Sequence, residues 1–374
     1  MQITQVVHRY PPRRGGIENY VWRLVNELKL SDDISVITSD YKTPKEGRTT
    51  EATYLNTHFS PLDNPLCLRM PFLIRDMRPD ILHTHGHWFF TSIFSAAVKQ
   101  HVPLVMTAHN SEMNYSGSQY EIANTIFSPI GKWTCQRCNK IIALTNYDKV
   151  NLISSMKLNP DLVEVVPNGI YPEEFRLSRE QRCDFEARMQ LNSDTTRLLY
   201  VSRIAKDKRQ DLLIQALRFL PENFEVVLVG SCEDIEYLMY LKQISSQIGP
   251  ARIKILLNLN RTDLIEIYHH SDVFVFLGML EGLPTVILEA MASGLPILTS
   301  NVGGIKEVVK QENGAVIEDI FIKPETIASV VTDLFKNKSL AENARIINPL
   351  RIRENYDWKV LSKRIRGIYK GVIN

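Results

Sequence analysis

Hydrophobic and polar positions follow two alternating periodicities along the whole chain. Short apolar runs rich in β-branched residues predict strands, and apolar residues spaced three and four positions apart predict helices. In the first half, strands are predicted at Gln2–Val7, Ile34–Thr38, Ile81–His85, Leu104–Thr107, Ile141–Leu144 and Val163–Val166. In the second half, strands are predicted at Arg197–Val201, Glu225–Val229, Ile253–Leu256, Val273–Leu277 and Ile297–Thr299.

Helical patterns separate these strands. Between the first two strands, one apolar face is formed by Ile17, Tyr20, Val21, Leu24, Val25 and Leu28. Later helices are predicted at Asp211–Leu220 and Thr262–His270 and around Glu289. Strands that alternate with helices are typical of parallel sheets covered by helices, so we predict an α/β protein.

The polar segment Tyr171–Ser193 divides the two series, and we interpret it as a linker and the first helix of the second half. We therefore predict two doubly wound, Rossmann-like domains, at 1–172 and 173–354. If the domains face each other, the carboxyl ends of both sheets meet at one cleft, where folds of this kind bind ligands.

Composition and charge exclude several classes of function. The 374 residues include 44 Lys and Arg against 42 Asp and Glu, a net charge of +2 that argues against nucleic acid as a partner. No apolar run approaches the roughly 18 residues of a membrane span, and no secretory signal is visible. We expect a cytoplasmic protein, and five cysteines fit a reducing compartment.

Two motifs raise the question of a metal. Cys135 and Cys138 form one C-x-x-C without a second pair, which favours two free thiols on a helix over a metal or redox site. His83, His85 and His87 alternate at a strand end but lack a fourth ligand at standard spacing. We expect no metal site.

Two segments at strand ends are candidates for binding phosphate. Gly15 and Gly16 open the first helix, where glycine permits close backbone approach and the helix N-terminus attracts anions, although a simple turn also explains them. The run from Arg203 to Arg209 carries four cations. It suits a diphosphate, although cationic runs are also common on solvated surfaces.

The segment from Glu281 to Gly294 is the most informative. Pro284 predicts the start of a helix and Gly294 its end, so Glu281 lies before the helix and Glu289 inside it. Eight helical residues rise about 12 Å, which lets two carboxylates contact different parts of one elongated ligand. Carboxylates accept hydrogen bonds from sugar hydroxyls, and two surface glutamates are the alternative.

Taken together, these stretches resemble the family 4 glycosyltransferases, retaining nucleotide-sugar enzymes of GT-B architecture. The matching motifs are Pro12-x-x-Gly-Gly-Ile-Glu, Thr107-Ala-His109-Asn110, Val166-Pro-Asn-Gly169, Arg203 with Lys208, Glu281-Gly-x-Pro, Glu289-Ala-Met-Ala-x-Gly294-x-Pro296, Asn301-Val-Gly303-Gly304-x-x-Glu307 and Asn313-Gly314. The chain departs from the family's usual residues at Ser202, Arg209, Leu277-Gly278 and Asn110, positions that bear on loop geometry or donor preference.

The resemblance implies roles for individual residues. Arg203 and Lys208 would neutralise the leaving diphosphate in place of a metal, and His109 would line the reaction centre with Glu281. The residues implied to bind the donor are Gly15, Gly16, Arg203, Lys208, Glu281, Gly282, Leu283, Pro284, Thr285 and Glu289. The partners implied are a nucleotide-sugar donor, with no cofactor, and a saccharide or lipid-linked acceptor bound by the first domain.

The basic C-terminus, 355–374, carries a helical stripe of Trp358, Leu361, Ile365 and Ile368. In similar proteins the last helix crosses back to the first domain, and we favour that structural role here. Attachment to the inner face of an anionic membrane is the alternative, and Leu66–Arg78 is a second candidate for it.

Two other functions remain open on the sequence. A nucleotide-sugar epimerase of the same architecture needs no acceptor, and a non-catalytic subunit would keep the fold and bind donor weakly. The spacing of Glu281 and Glu289 disfavours the first, and the presence of Arg203 and Lys208 disfavours the second.

Overall fold

The computed structural model describes residues 1–13, 15–109, 118–176, 185–191, 194–279, 281–319 and 321–373. The chain forms two compact units. Unit 1 contains Met1–Gly169 and Trp358–Asn374, and unit 2 contains Ile170–Asp357.

Unit 1 is built on a parallel sheet of seven strands. The strands are β1 Gln2–Val6, β2 Asp33–Ser39, β3 Ala52–Leu55, β4 Ile81–His85, β5 Leu104–Thr107, β6 Lys140–Ala143 and β7 Val163–Val165, in the order β3-β2-β1-β4-β5-β6-β7. The α-helices before the linker are α1 Gly16–Leu28, α2 Met70–Met77, α3 Phe90–Val98, α4 Ser118–Gln136 and α5 Asn146–Met156. All residues of β4 and β5 are buried, as expected for strands covered on both faces.

Unit 2 repeats this plan with six parallel strands. They are β8 Thr196–Val201, β9 Phe224–Gly230, β10 Ile253–Leu257, β11 Val273–Phe276, β12 Ile297–Ser300 and β13 Gly314–Ile317, in the order β10-β9-β8-β11-β12-β13. Its α-helices are α6 Phe185–Met189, α7 Gln210–Ala216, α8 Ile235–Ile248, α9 Arg261–His269, α10 Thr285–Ala292, α11 Ile305–Val308, α12 Pro324–Lys336 and α13 Lys338–Asn355.

The last helix, α14 Trp358–Ile373, belongs to unit 1 and packs against α1. Its apolar stripe is buried, and the Trp358 ring meets Tyr20 edge-on at 5.0 Å between centroids. Arg366 anchors the polar side by two hydrogen bonds to Asp32, at 2.6 and 3.1 Å. The stripe is therefore covered by the protein and not available to a membrane.

The prediction of two doubly wound, Rossmann-like sheets is confirmed, as is the return of the last helix to the first unit. Two strands went unpredicted, β3 and β13. Each has four residues. β3, Ala-Thr-Tyr-Leu, mixes polar with apolar residues and has one buried position, whereas β13, Gly-Ala-Val-Ile, is apolar but begins with glycine, a residue that is rare in strands. The predicted helix over Asp211–Leu220 ends earlier, at Ala216, and continues as a 3-10 turn, Leu217–Phe219.

Candidate functional site

The predicted site residues of unit 2 lie beyond the carboxyl ends of two neighbouring strands. β8 pairs with β9 on one side and with β11 on the other, so the order of the sheet reverses beside β8. The segment with Arg203 and Lys208 follows β8, and the segment with Glu281 follows β11. In doubly wound sheets this reversal point is where ligands bind.

Lys208 is the centre of this arrangement. It ends a 3-10 turn, Lys206–Lys208, and its side chain is only 6% exposed. Its Nζ donates hydrogen bonds to Asp207 Oδ2 at 2.6 Å and to Glu281 Oε1 at 2.7 Å. Lys208 therefore joins the two loops across the end of the sheet.

The backbone around Lys208 is held from inside the core. The hydroxyl of buried Tyr200 donates to the carbonyl oxygen of Lys208 and accepts from the backbone N–H of Leu277 at 2.9 Å. Gln210 Nε2 donates to Ser202 Oγ at 2.8 Å and to the Arg203 carbonyl oxygen at 2.7 Å. These bonds connect β8, β11 and the start of α7, so the turn is fixed before any ligand arrives.

Arg203 is the more accessible cation. Its side chain is 50% exposed, it donates a hydrogen bond to Glu233, and it lies 3.8 Å from Asp207. Burial alone would lower the pKa of Arg203, but the hydrogen bond to Glu233 and the nearby carboxylates raise it. The group stays charged and its present partner is on the surface.

Two cations and three carboxylates form one cluster here: Arg203 and Lys208 with Asp207, Glu233 and Glu281. The carboxylates neutralise the cations while no ligand is bound. An incoming anion must compete with them, and Arg203 can exchange partners at the surface more readily than the buried Lys208.

A glycine on the neighbouring loop supports the backbone of Glu281. Gly303 has φ +50, and a Cβ there would lie 2.1 Å from the Glu281 carbonyl oxygen and 2.4 Å from that of Gly282. Gly304 donates its backbone N–H to the Gly282 carbonyl oxygen at 2.9 Å. Leu283 is buried, Pro284 is the N-cap of α10, and Thr285 is its first residue.

Glu289 lies in α10 and is already hydrogen-bonded on both oxygens. Oε1 accepts from Arg261 at 2.8 Å, and Oε2 accepts from the Tyr268 hydroxyl at 3.0 Å. Arg261 also donates to Glu174 at 2.6 and 3.1 Å and lies over the Phe175 ring. A carboxylate oxygen has a second lone pair, so Glu289 can still accept from a ligand hydroxyl.

In unit 1, the two glycines at the start of α1 have different surroundings. Gly15 is the N-cap, and a Cβ there would lie 2.2 Å from Glu18 Oε2. Glu18 is buried beside Arg9, with Nε and Oε1 3.1 Å apart, and burial raises the pKa of Glu18. Glu18 thus covers the side of the helix start at Gly15, whereas a Cβ at Gly16 would meet nothing within 4 Å.

His109 follows β5 and is buried, with a left-handed backbone at φ +56. Its Nε2 lies 3.0 Å from Nδ1 of His85, which ends β4, and Tyr20 meets its ring edge-on at 4.8 Å. Burial lowers the pKa of His109 to about 3, so the ring is neutral at neutral pH. Asn110, its neighbour in the motif, lies outside the described residues.

The remaining histidines and the two cysteines also lie inside unit 1. Burial lowers the pKa of His83 to about 3 and that of His87 to about 4, and it raises the pKa of the Cys135 thiol to about 12. Cys138 donates to the Thr134 carbonyl oxygen at 3.3 Å. Within the described part of the chain, no group of three or more His, Cys, Asp or Glu side chains could hold a metal ion.

Several residues of these surroundings were not predicted, among them Glu233, Arg261 and Gln5, whose Oε1 lies 2.9 Å from Nε2 of His85. Gln5 had a detectable signal, since its amide lies in a buried strand between Ile3 and Val6 and needs a buried partner. Arg261 and Glu233 had none, because their partners Glu174, Glu289 and Arg203 are remote in sequence.

Among the helices that the structure describes, none combines the length and apolar character needed to cross a lipid bilayer.

Comparison with protein families agrees with the geometry. The model described as Glycosyltransferase Family 4 matches residues 14–174, and the model described as Glycosyl transferases group 1 matches residues 182–349. The two matches correspond to the two units, and each includes the strand ends described above.

Individual relatives extend over much of the chain. An uncharacterized glycosyltransferase of Methanocaldococcus jannaschii is 26% identical over 395 residues, covering 99% of this chain and 98% of the relative. A UDP-Gal:α-D-GlcNAc-diphosphoundecaprenol α-1,3-galactosyltransferase of Escherichia coli is 28% identical over 300 residues, covering 76% and 75%.

The fold has solved counterparts. The structure of Anabaena HepE in complex with UDP superposes with a TM-score of 0.82 at 19% identity, covering 99% of this chain and 100% of that one. At this identity the likeness establishes the fold, and the family models establish the ancestry. The chain belongs to the family 4 glycosyltransferases and is a glycosyltransferase of the GT-B type.

Proposed function

We propose that this enzyme transfers a sugar from a nucleotide-diphosphate donor to a hydroxyl of a saccharide or lipid-linked acceptor, with retention of anomeric configuration and without a metal. The observation that carries the proposal is the buried Lys208, hydrogen-bonded to Glu281 at the reversal point of the unit 2 sheet. A buried ammonium between two loops can stabilise the negative charge that develops on a leaving phosphate.

The donor diphosphate binds by partner exchange. Its oxygens replace Glu233 as the partner of Arg203 and share Lys208 with Asp207. The exposed ion pair between Arg203 and Glu233 breaks more easily than the buried one. Both cations then lie where negative charge grows as the sugar–phosphate bond breaks, which lowers the barrier and replaces a metal ion.

The segment between the two glutamates binds the rest of the donor. Glu281 accepts hydrogen bonds from the transferred sugar, and the start of α10, with Gly282, Leu283, Pro284 and Thr285 before and at its first turn, receives phosphate. Glu289 accepts from ribose hydroxyls through the lone pairs that Arg261 and Tyr268 leave open.

Unit 1 binds the acceptor, and two of its residues contact the donor. The open space at Gly16 admits donor phosphate close to the backbone, and neutral His109 forms hydrogen bonds with hydroxyls of the transferred sugar without adding charge. Gly15 contributes indirectly, since its lack of a side chain makes room for Glu18.

The anomeric configuration is retained because the new bond forms on the face of the sugar from which the diphosphate leaves. The sugar becomes oxocarbenium-like as the diphosphate leaves, and the acceptor hydroxyl attacks on the same face while its proton passes to the departing phosphate oxygen. The departing diphosphate is then both the leaving group and the base, and Arg203 and Lys208 hold it in place.

A lipid-linked acceptor also needs access to a membrane surface. Leu68, Phe72 and Met77 are exposed in and beside α2, among the exposed cations Arg69, Arg75 and Arg78. The E. coli relative is named for a diphosphoundecaprenol acceptor, which fits this surface. Binding to anionic vesicles in a flotation assay should fall for Phe72→Ser and stay for Phe321→Ser on unit 2, and equal flotation would reject the contact.

Transfer is tested with UDP-, GDP- and ADP-sugars in the presence of a chelator. We expect one donor class to give a product of unchanged anomeric configuration by proton NMR, with activity lost in Arg203→Ala and Lys208→Ala. An inverted product would reject retention, and a requirement for added metal would reject metal independence. A donor-only epimer would indicate the epimerase, and binding without transfer would indicate the non-catalytic subunit.

A further inference from the structure

A continuous hydrogen-bonded network lies beneath His109 in unit 1. His109 Nε2 contacts His85 Nδ1 at 3.0 Å, and His85 Nε2 contacts Gln5 Oε1 at 2.9 Å. Gln5 Nε2 donates to the Tyr369 hydroxyl at 3.2 Å, so the network reaches the last helix. All four side chains are buried.

The direction of each hydrogen bond follows from one acceptor. Gln5 Oε1 can only accept, so His85 must carry its proton on Nε2. A neutral imidazole has one N–H, which leaves Nδ1 of His85 as an acceptor. His109 must then carry its proton on Nε2 and donate it to His85.

A second branch is consistent with this direction. Because Gln5 donates to the Tyr369 oxygen, the Tyr369 hydroxyl can donate to His83 Nδ1 at 2.6 Å. His83 then carries its proton on Nε2 and donates to Thr107 Oγ1 at 2.9 Å. No bond in the network needs a second proton on any ring.

The rings are neutral for a physical reason. Burial, more than any neighbouring charge, lowers the pKa of His83 and His109 to about 3 and that of His85 well below its usual range. Around His109, the left-handed backbone and the edge of Tyr20 further restrict the ring. A strained residue persists where its surroundings determine it, as they do here.

We propose that His85, itself oriented by Gln5, is a positioning residue that holds His109 as the Nε2–H tautomer, so that Nδ1 of His109 is its ligand-facing nitrogen and acts as a hydrogen-bond acceptor for a sugar hydroxyl. Nε2 is used by His85, so a ligand contact of this ring must be made through Nδ1. The ligand part of this inference rests on the proposed function, and the tautomer does not.

The tautomer is measured directly on the full chain labelled with ¹⁵N-histidine. Two-bond ¹H–¹⁵N spectra distinguish Nε2–H from Nδ1–H, and the His109 signals are assigned by their loss in His109→Gln. We expect Nε2–H in the wild-type protein at pH 7. A His109 that carries its proton on Nδ1 would overturn the proposal without any variant being made.

Two substitutions of His85 separate its two contacts. In His85→Asn the amide oxygen takes the position of Nδ1 and can still accept from His109, whereas in His85→Gln the amide lies where Nε2 was. We expect Asn to keep the His109 tautomer and a kcat within about threefold, and Gln to mix the tautomers and lower kcat about tenfold, the effect of one ordinary hydrogen bond.

Gln5→Met and His87→Asn complete the set. Gln5→Met removes the acceptor that sets the direction and should mix the tautomers even if His85→Gln fails to fold. His87 is buried near the same strand end but outside the network, so His87→Asn should leave the His109 tautomer unchanged. An unchanged tautomer in Gln5→Met would overturn the proposal. Failure of the proposed function would instead appear as absence of transfer with the tautomer intact.

Discussion

At the scale of single residues, the candidate donor site depends on charges that already have partners. Lys208 is buried with two carboxylates, while Lys206 in the same 3-10 turn is exposed. The two lysines share a sequence environment but differ in what surrounds them, so a comparison between them separates site chemistry from general surface charge.

Lys208→Met should reduce kcat/KM about 10²-fold to 10³-fold, the range found when one preorganised group that stabilises developing charge is removed. It also leaves Asp207 and Glu281 facing each other without a cation. Lys206→Met should stay close to wild type. Initial rates measured across donor concentrations decide, and equal effects of the two substitutions would contradict the assignment of Lys208.

The buried histidines of unit 1 predict sensitivity to acid. His83, His87 and His109 have pKa values of about 3, 4 and 3 in the folded protein, against 6.5 for an ordinary histidine. Between those values the unfolded chain binds protons that the folded protein does not, so stability falls as pH drops below 6.5.

Urea unfolding at pH 7.0, 6.0 and 5.5 should show a decreasing free energy of unfolding. These three rings contribute a slope that approaches about 4 kcal/mol per pH unit, and His8 and His85, whose pKa values burial also lowers, add to it. His87→Gln removes one of these sites and should make the slope shallower by about one proton. A free energy of unfolding that does not change across this pH range would contradict the buried, neutral state of these rings.

At the scale of elements, the strands were more predictable than the loops beyond them. β4, β5 and β8 are buried throughout, and the apolar residues in them, Ile81 and Leu82, Leu104–Met106 and Leu198–Val201, were enough to predict the strands. The positions of Arg203, Lys208 and Glu281 follow from strand ends and a known sheet topology. Their actual partners do not, because Glu233 and Arg261 contact the site from helices and loops whose packing no local pattern encodes.

Gly303 tests the support of the Glu281 loop. Gly303→Ala places a side chain at φ +50 against two carbonyl oxygens, at 2.1 and 2.4 Å, and strain of this kind costs about 1–3 kcal/mol. We expect lower stability in urea and a raised KM for donor, because the backbone of Glu281 and Gly282 must move.

Gly367→Ala is the matched control. Gly367 lies exposed inside α14, where a Cβ meets nothing within 4 Å, so alanine should stabilise the helix by about 0.5–1 kcal/mol and leave KM unchanged. If Gly303→Ala behaved like this control, the contact of Gly303 with the backbone of Glu281 and Gly282 would have no role in donor binding.

At the scale of the whole molecule, a near-neutral chain concentrates its chemistry at strand ends. The net charge of +2 excludes a general electrostatic role, whereas the cluster around Lys208 provides cations at one edge of one sheet. The two-unit organisation was predictable because both sheets follow the same strand–helix alternation. The identity of the sugar was not, since one or two hydroxyl contacts decide it.

We expect the cluster around Lys208 to bind the donor, and thermal unfolding of the full chain with UDP-, GDP- and ADP-sugars in the presence of a chelator measures that binding. A ligand that binds the folded state raises Tm with concentration. We predict a saturable rise in Tm with at least one donor class that is abolished in Lys208→Met and preserved in Lys206→Met. A rise that survives Lys208→Met, or no rise with any of the three classes, would contradict donor binding by this cluster.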